Sequence, residues 1–161
     1  MVGQLSHEVE VNVAASEAWE LYSSLRLAKL VEEELSSLIE KVEVIEGDGG
    51  VGTILKLTFP PGTPGFAGYS EKFTKIDHEK RLKEAEVIEG GYLDIGFTFY
   101  RVSFQIIEKG DDSCIIKTTV EYDVKEEAAA NASYVTIEPL VKIIEVTKNY
   151  LIKTKAAKDA N

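Results

Sequence analysis

The residue types best suited to chemistry lie on a predicted β-hairpin between positions 69 and 89. Phe73 marks the inward face of its first strand, because an aromatic ring of this size belongs in a core. Since the side chains of a strand alternate between two faces, Tyr69, Glu71 and Lys75 turn to the same side. This strand therefore directs a phenol, a carboxyl group and an amine towards an apolar interior.

The second strand of the hairpin directs another amine to that interior. Ala85 and Val87 mark its inward face, and Lys83 has the same parity. If Phe73 pairs with Ala85, the two charged positions are offset by four residues, or ~13 Å along the ladder. Glu71 and Lys83 would then flank a space instead of forming a tight pair. A buried, separated carboxylate and amine have perturbed pKa values, which often mark a functional site.

A structural interpretation of the same charges stays open at this point. A slip of one residue in the register would expose both side chains to solvent. Lysines on strands are also usually solvated.

Two predicted strands follow this hairpin, Phe97–Ile107 and Cys114–Val124. Their alternating aromatic and apolar side chains indicate core positions or the walls of a cavity. With the first hairpin strand, they supply the candidate substrate contacts. These are Phe73, Tyr100, Val102, Phe104 and Tyr122.

Composition excludes several classes of function. The net charge of −10, from 28 acidic and 18 basic residues, argues against a nucleic-acid partner and against an anionic membrane surface. Cys114 is alone, so no internal disulfide forms, which fits a reducing, cytoplasmic compartment. The start of the chain does not resemble a signal peptide, and no apolar run approaches the ~20 residues of a membrane helix. No residue spacing indicates a metal site or a cofactor.

The glycine-rich segment Gly47–Gly52 matches the dinucleotide fingerprint G-x-G-x-x-G in letters only. That fingerprint opens a helix whose N-terminus takes the pyrophosphate. Here the following residues, Thr53–Phe59, alternate with a period of two, which predicts a strand. The segment is therefore predicted to be a hairpin loop with positive φ angles.

The order of elements predicts an α+β fold in one domain, residues 1–161, whose mostly adjacent strands form an antiparallel sheet. Two short helices follow the first strand, one capped by Ser16 and one over about Leu27–Leu35. A long C-terminal helix restarts at Pro139 and buries one apolar stripe. The predicted strands are Gln4–Val13, Glu40–Glu46, Gly52–Phe59, Tyr69–Ile76, Leu82–Glu89, Phe97–Ile107 and Cys114–Val124.

The glycine loop, read within Ile45–Thr53, and the segment Ile88–Leu93 resemble the plant pathogenesis-related class-10 proteins of the Bet v 1-like superfamily. The resemblance covers essentially the whole chain. It implies a seven-stranded antiparallel sheet that curves around the long C-terminal helix (a helix-grip fold), with a large apolar cavity between them.

Within that family, Tyr69–Phe73 and Arg81–Glu84 are most similar to the norcoclaurine synthases, and these stretches with Lys75–Lys80 also resemble norbelladine synthase. Norcoclaurine synthases join dopamine to 4-hydroxyphenylacetaldehyde by a Pictet–Spengler reaction. The family's catalytic tyrosine, glutamate and lysine match Tyr69, Glu71 and Lys83 in this chain.

The resemblance implies a role for each of these residues. Lys83 would polarise the carbonyl and assist the loss of water, and Glu71 would take the ring proton after closure. Tyr69 would orient a substrate hydroxyl or narrow the mouth of the cavity. The chain departs from the norcoclaurine synthases at Val102, where they carry an aspartate. Norbelladine-type condensation, which needs no ring closure, would tolerate that loss better.

Two functions follow as expectations. The first is an alkaloid-forming enzyme that condenses an arylethylamine with an aryl aldehyde and acts as a monomer or weak dimer. The second is a non-catalytic carrier or receptor-like protein for hydrophobic plant metabolites or hormones, connected with defence. Glu71 and Lys83 together favour the enzyme, whereas Val102 and a generic cavity suit the carrier.

Overall fold

The computed structural model describes residues 1–160 of the chain. Its elements are β1 (Val2–Val11), α1 (Ala15–Tyr22), α2 (Arg26–Glu34), β2 (Lys41–Glu46), β3 (Ile54–Thr58), β4 (Gly68–Asp77), β5 (Leu82–Gly90), β6 (Phe97–Gly110), β7 (Ser113–Val124) and α3 (Glu138–Asp159). Short 3-10 segments occupy Gly91–Ile95 and Glu126–Tyr134. No helix within residues 1–160 combines the length and apolar character needed to cross a bilayer.

The seven strands form one antiparallel sheet in the order β1-β7-β6-β5-β4-β3-β2. The predicted α+β fold, with two short helices after β1 and a long C-terminal helix, is confirmed. Helix α3 begins next to Pro139, whose missing N–H costs nothing in the first turn. Its buried stripe is Leu140, Ile143, Ile144, Thr147 and Leu151.

The register of the hairpin β4–β5 decides which side chains face the interior. Phe73 pairs with Ala85, which is the register considered in the sequence analysis, and Glu71 pairs with Val87. A bulge then interrupts the ladder between Phe73 and Lys75. An extra residue reverses the parity of the strand beyond it, so the prediction that Lys75 faces inwards is wrong, and its side chain is exposed.

The glycine segment is the loop between the antiparallel strands β2 and β3, as predicted. Gly47, Gly49 and Gly52 have φ angles of 91°, 109° and 95°, which favour glycine. The amide of Gly49 donates to Oγ1 of the buried Thr53 at 2.9 Å, which ties the loop to the strand that follows.

The start of α1 differs from the prediction. Ser16 was expected to precede the helix and cap it, but α1 begins at Ala15 and its N-cap residue is Ala14, without a side-chain hydrogen bond. The apolar periodicity located the helix correctly, because Ala18, Trp19 and Tyr22 are buried.

Candidate active site

Two adjoining chambers lie between the sheet and the helices α2 and α3. The lysine chamber has a volume of about 100 Å³, and the aromatic chamber has about 430 Å³. The lysine chamber is lined by Leu27, Ala28, Val31, Val42, Leu55, Leu57, Glu71, Phe73, Lys83, Ala85 and Phe104. The aromatic chamber is lined by Leu38, Phe59, Thr63, Pro64, Phe66, Tyr92, Tyr100, Ser133, Tyr134, Thr136 and Pro139. Both chambers share Ile39, Tyr69, Val102, Leu140 and Ile143, so they meet along these residues.

Lys83 is the one lysine or arginine on the wall of the lysine chamber. The alternation of β5 turns it inwards, and only 3% of its surface is exposed. Its Nζ donates to the backbone oxygen of Tyr22 at 3.0 Å and lies 3.9 Å from the centre of the Phe73 ring. Burial lowers the pKa of Lys83 from 10.5 to about 8, although the nearby Glu71 carboxylate opposes this shift.

Glu71 is the carboxyl group of the same chamber. Burial raises the pKa of Glu71 from 4.5 to about 7, and the Lys83 ammonium opposes that shift. Within residues 1–160 no ion pair joins the two side chains. They influence each other across the chamber without contact, as the strand pattern predicts, and the space between them is open to a ligand.

The raised pKa of Glu71 and the lowered pKa of Lys83 determine which protonation states the chamber holds near neutral pH. A carboxylate that can accept a proton exists above pH of about 7, and an ammonium that can donate one exists below about 8. Near neutral pH, acid and base therefore coexist in a largely apolar space, which is the requirement for general acid–base catalysis. The low polarity around them also strengthens their effect on any charge that develops in a ligand.

Four tyrosines line the aromatic chamber: Tyr134, Tyr92, Tyr100 and Tyr69. The rings of Tyr92 and Tyr100 stack with centres 3.9 Å apart and an interplanar angle of 12°. Burial, with a smaller contribution from Glu71, raises the pKa of Tyr69 well above its usual value, and burial does the same for Tyr100. These phenols remain neutral hydrogen-bond donors, and the described lining of this chamber contains no charged side chain.

The structure brings most of the predicted site residues together. Phe73 and Phe104 line the lysine chamber, Tyr100 lines the aromatic chamber, and Val102 lines both. Tyr122 lies outside the lining of both chambers. It sits opposite Gly3 near the end of β7, and its ring packs against Phe97 at 5.6 Å.

Sequence reasoning missed part of the aromatic wall. Phe66 lies in the loop between β3 and β4, and its ring contacts Tyr92 at 4.6 Å. Tyr134 ends a 3-10 segment on the other side of the same chamber. Neither position belongs to a regular periodic pattern that could have indicated its direction. Within residues 1–160 no three histidine, cysteine or acidic side chains gather as a metal site.

Comparisons of sequence and of fold relate the chain to known proteins. The chain is 53% identical over 156 residues to norbelladine synthase of Narcissus pseudonarcissus, covering 97% of this chain and 96% of that protein. A norcoclaurine synthase point mutant of Thalictrum flavum, solved with a transition state analogue, superposes with a TM-score of 0.89 at 40% identity over 96% of this chain and 97% of that one.

A second Thalictrum flavum norcoclaurine synthase structure, in complex with dopamine and hydroxybenzaldehyde, has a TM-score of 0.85 at 41% identity over 95% of this chain and 88% of that one. The model of the pathogenesis-related protein Bet v 1 family matches residues 1–154. By sequence and fold, the chain belongs to the Bet v 1 family.

Proposed function

We propose that this protein is an enzyme that condenses an arylethylamine, such as dopamine, with an aryl aldehyde inside the joined chambers. The observation that carries this proposal is the pair Lys83 and Glu71, a proton donor and a proton acceptor that face one apolar cavity without neutralising each other. Support also comes from the related norcoclaurine synthase that was solved with dopamine and hydroxybenzaldehyde.

The first step forms an iminium ion. The amine nitrogen attacks the aldehyde carbon, and the C–O π electrons move to the oxygen. The Lys83 ammonium stabilises this oxygen and gives it one proton. The attacking nitrogen gives up a second proton to the same oxygen, so that the oxygen leaves as water and a C=N⁺ bond forms. The position of Nζ, held by the Tyr22 carbonyl oxygen, fixes where the aldehyde oxygen must lie.

The second step is ring closure, as in a Pictet–Spengler reaction. A carbon of the electron-rich aromatic ring attacks the iminium carbon, and the C=N π electrons return to nitrogen. Glu71, as carboxylate, then takes the proton from the attacking ring carbon and restores its aromaticity. Before that, the same carboxylate stabilises the cationic iminium in a chamber with little water.

The sizes of the chambers indicate how the substrates lie. Pockets for small molecules have volumes of roughly 300–1,000 Å³. The aromatic chamber, at about 430 Å³, falls in this range, whereas the lysine chamber, at about 100 Å³, does not. We therefore place the reacting groups beside Lys83 and the greater part of the aryl surface against Tyr92 and Tyr100, whose rings offer stacking faces.

Chiral chromatography tests the proposal directly. Purified protein is incubated with dopamine and 4-hydroxyphenylacetaldehyde, beside a control without protein. The uncatalysed reaction gives a racemate, so we expect an excess of one enantiomer that grows with protein concentration. A racemate formed at the background rate would contradict ring closure by the enzyme. If the protein also forms no open imine above background but binds apolar ligands tightly, the result favours a carrier.

Condensation without ring closure is the second candidate, and Val102 favours it. Its side chain is 7% exposed and borders both chambers, at a point where a carboxylate could hold a catechol or an amine. We expect Val102→Asp to raise the share of ring-closed product, because the new carboxylate orients the aromatic ring towards the iminium. Borohydride trapping of the open imine, followed by chromatography, measures that share.

Val102→Asn is the matched control, since it has the shape of the aspartate without its charge. We expect the asparagine variant to keep the product ratio of the unmodified protein. Equal ratios in both variants would show that charge at this position does not direct ring closure. Thermal unfolding of both variants measures how much stability the protein loses when a polar side chain is buried at this position.

A further inference from the structure

The C-terminal turn of α1 has an unusual set of hydrogen-bond partners. The last carbonyl groups of a helix have no partners within the helix. Here the oxygen of Trp19 accepts from the Ser23 amide at 2.8 Å, and the hydroxyl of Ser24 donates to the oxygens of Glu20 and Leu21. The remaining oxygen, that of Tyr22, accepts from Nζ of Lys83.

This arrangement places a cation at the negative end of the α1 dipole. A helix C-terminus stabilises a positive charge, most strongly where the site is partly or fully buried. The face of the Phe73 ring, 3.9 Å from Nζ, adds attraction on another side. Both contacts favour the ammonium form of Lys83 against the desolvation that opposes it.

The side chain of Tyr22 is itself fixed to α3. Its hydroxyl lies 2.7 Å from Oγ1 of Thr147, and both residues are fully buried. Because the Thr147 hydroxyl donates to the oxygen of Ile144 at 2.8 Å, Tyr22 is the donor in this bond. The Tyr22 ring also packs edge-on against Phe104, the residue opposite Lys83 in the β5–β6 ladder.

We infer that Tyr22 and Thr147 are positioning residues: their hydrogen bond holds the terminal carbonyl of α1 where it receives the Lys83 ammonium. Neither side chain lines either chamber, so neither acts on the substrate itself. The inference rests on the proposed function only because that function makes Lys83 the proton donor. It makes the long helix α3 a part of the support for the proton donor.

Few titratable groups surround this contact. Glu71 on β4 is the charged group that faces Lys83. Beside Tyr22, the thiol of Cys114 on β7 stays neutral, because burial raises the pKa of Cys114 to about 11. Burial also raises the pKa of Tyr22, which keeps its hydroxyl protonated as a donor. A change at Lys83 can therefore be traced to the carbonyl or to Glu71.

The test is an NMR titration of isotope-labelled lysine, with the Lys83 signal assigned by its loss in Lys83→Met. We expect Tyr22→Phe and Thr147→Val each to lower the Lys83 midpoint by about 0.2–0.7 pH units, since a loosened carbonyl stabilises the ammonium less. The basic limb of the activity profile should move to lower pH by the same amount. Thr147→Ser, which keeps the hydroxyl, should restore the midpoint of the unmodified protein.

Two controls remove similar hydrogen bonds elsewhere on α3. Tyr150→Phe breaks a bond of 2.7 Å from Nη2 of Arg26, and Thr154→Val breaks a bond of 2.8 Å to the oxygen of Tyr150. Midpoints that stay unchanged in Tyr22→Phe and Thr147→Val, as in these controls, would overturn the inference. Thr147→Val decides alone if Tyr22→Phe fails to fold. The titration needs no turnover, so a failure of the proposed function would be visible separately as an absence of product.

Discussion

Replacing Lys83 with methionine is expected to lower kcat/KM for the condensation by ~10²–10⁴, the usual contribution of a positioned acid. Methionine fills a similar volume but cannot donate a proton to the aldehyde oxygen. Lys83 is the one ammonium on the described wall of the lysine chamber, so no neighbour replaces it. Initial rates of enantiomerically enriched product at pH 7.5 measure the loss. This pH lies between the pKa of Glu71, about 7, and the pKa of Lys83, about 8, where Glu71 is a carboxylate and Lys83 is an ammonium.

Lys75→Met is the matched control for that variant. Lys75 lies on the same hairpin, and simple alternation turns it inwards, but the bulge after Phe73 exposes it. The control should therefore keep the rate of the unmodified protein. Equal losses in the two variants would point to a general effect of charge, and an unchanged rate in Lys83→Met would remove Lys83 from the mechanism.

The pH dependence of stability separates lost chemistry from a lost fold. Because the pKa of Lys83 falls from 10.5 to about 8 on folding, the unfolded chain binds more protons between these two values. The free energy of unfolding of the unmodified protein therefore gains a contribution that rises with pH across that window. Lys83→Met should remove this rise while remaining folded, since burying an apolar side chain avoids the cost of burying a charge.

Local periodicity predicted the elements of this site, but it left open two registers, of which only one turns Glu71 and Lys83 inwards. The alternation in β4 and β5 places Glu71 and Lys83 on the inward face, and the apolar stripe of α3 follows from three- and four-residue spacing. The structure settles that choice by pairing Phe73 with Ala85, whereas a one-residue slip would have exposed both core positions.

Contacts between distant elements could not be predicted in the same way. The bulge that exposes Lys75 has no clear signal in the residues around it. The bond from Lys83 to Tyr22 joins positions 61 residues apart, and it depends on how α1 packs against the sheet. The placement of Tyr122 outside both chambers likewise depends on where along β7 the cavity ends, which strand parity does not determine.

Replacing Glu71 with glutamine is the second change expected to have a large effect. Glutamine keeps the shape of the side chain but cannot accept the ring proton, so the rate of ring closure should fall by ~10²–10⁴. The unmodified protein should show a bell-shaped kcat/KM profile with limbs near pH 7 and pH 8, which reflect the coupled pair. Glu89→Gln, an exposed position on the neighbouring strand, is the control and should leave the profile unchanged.

The two limbs should also respond to each other's removal. Glu71 raises the pKa of Lys83, so Glu71→Gln should abolish the acidic limb and move the basic limb of its residual activity below pH of about 8. Lys83 lowers the pKa of Glu71, so Lys83→Met should move the acidic limb of its residual activity above about 7. The basic limb could stay at its original pH in Glu71→Gln, and the acidic limb could stay at its original pH in Lys83→Met. That result would show that the two groups do not share one chamber during turnover. Reciprocal shifts, by contrast, require the carboxyl group and the amine to act across the same space, where the substrates would meet.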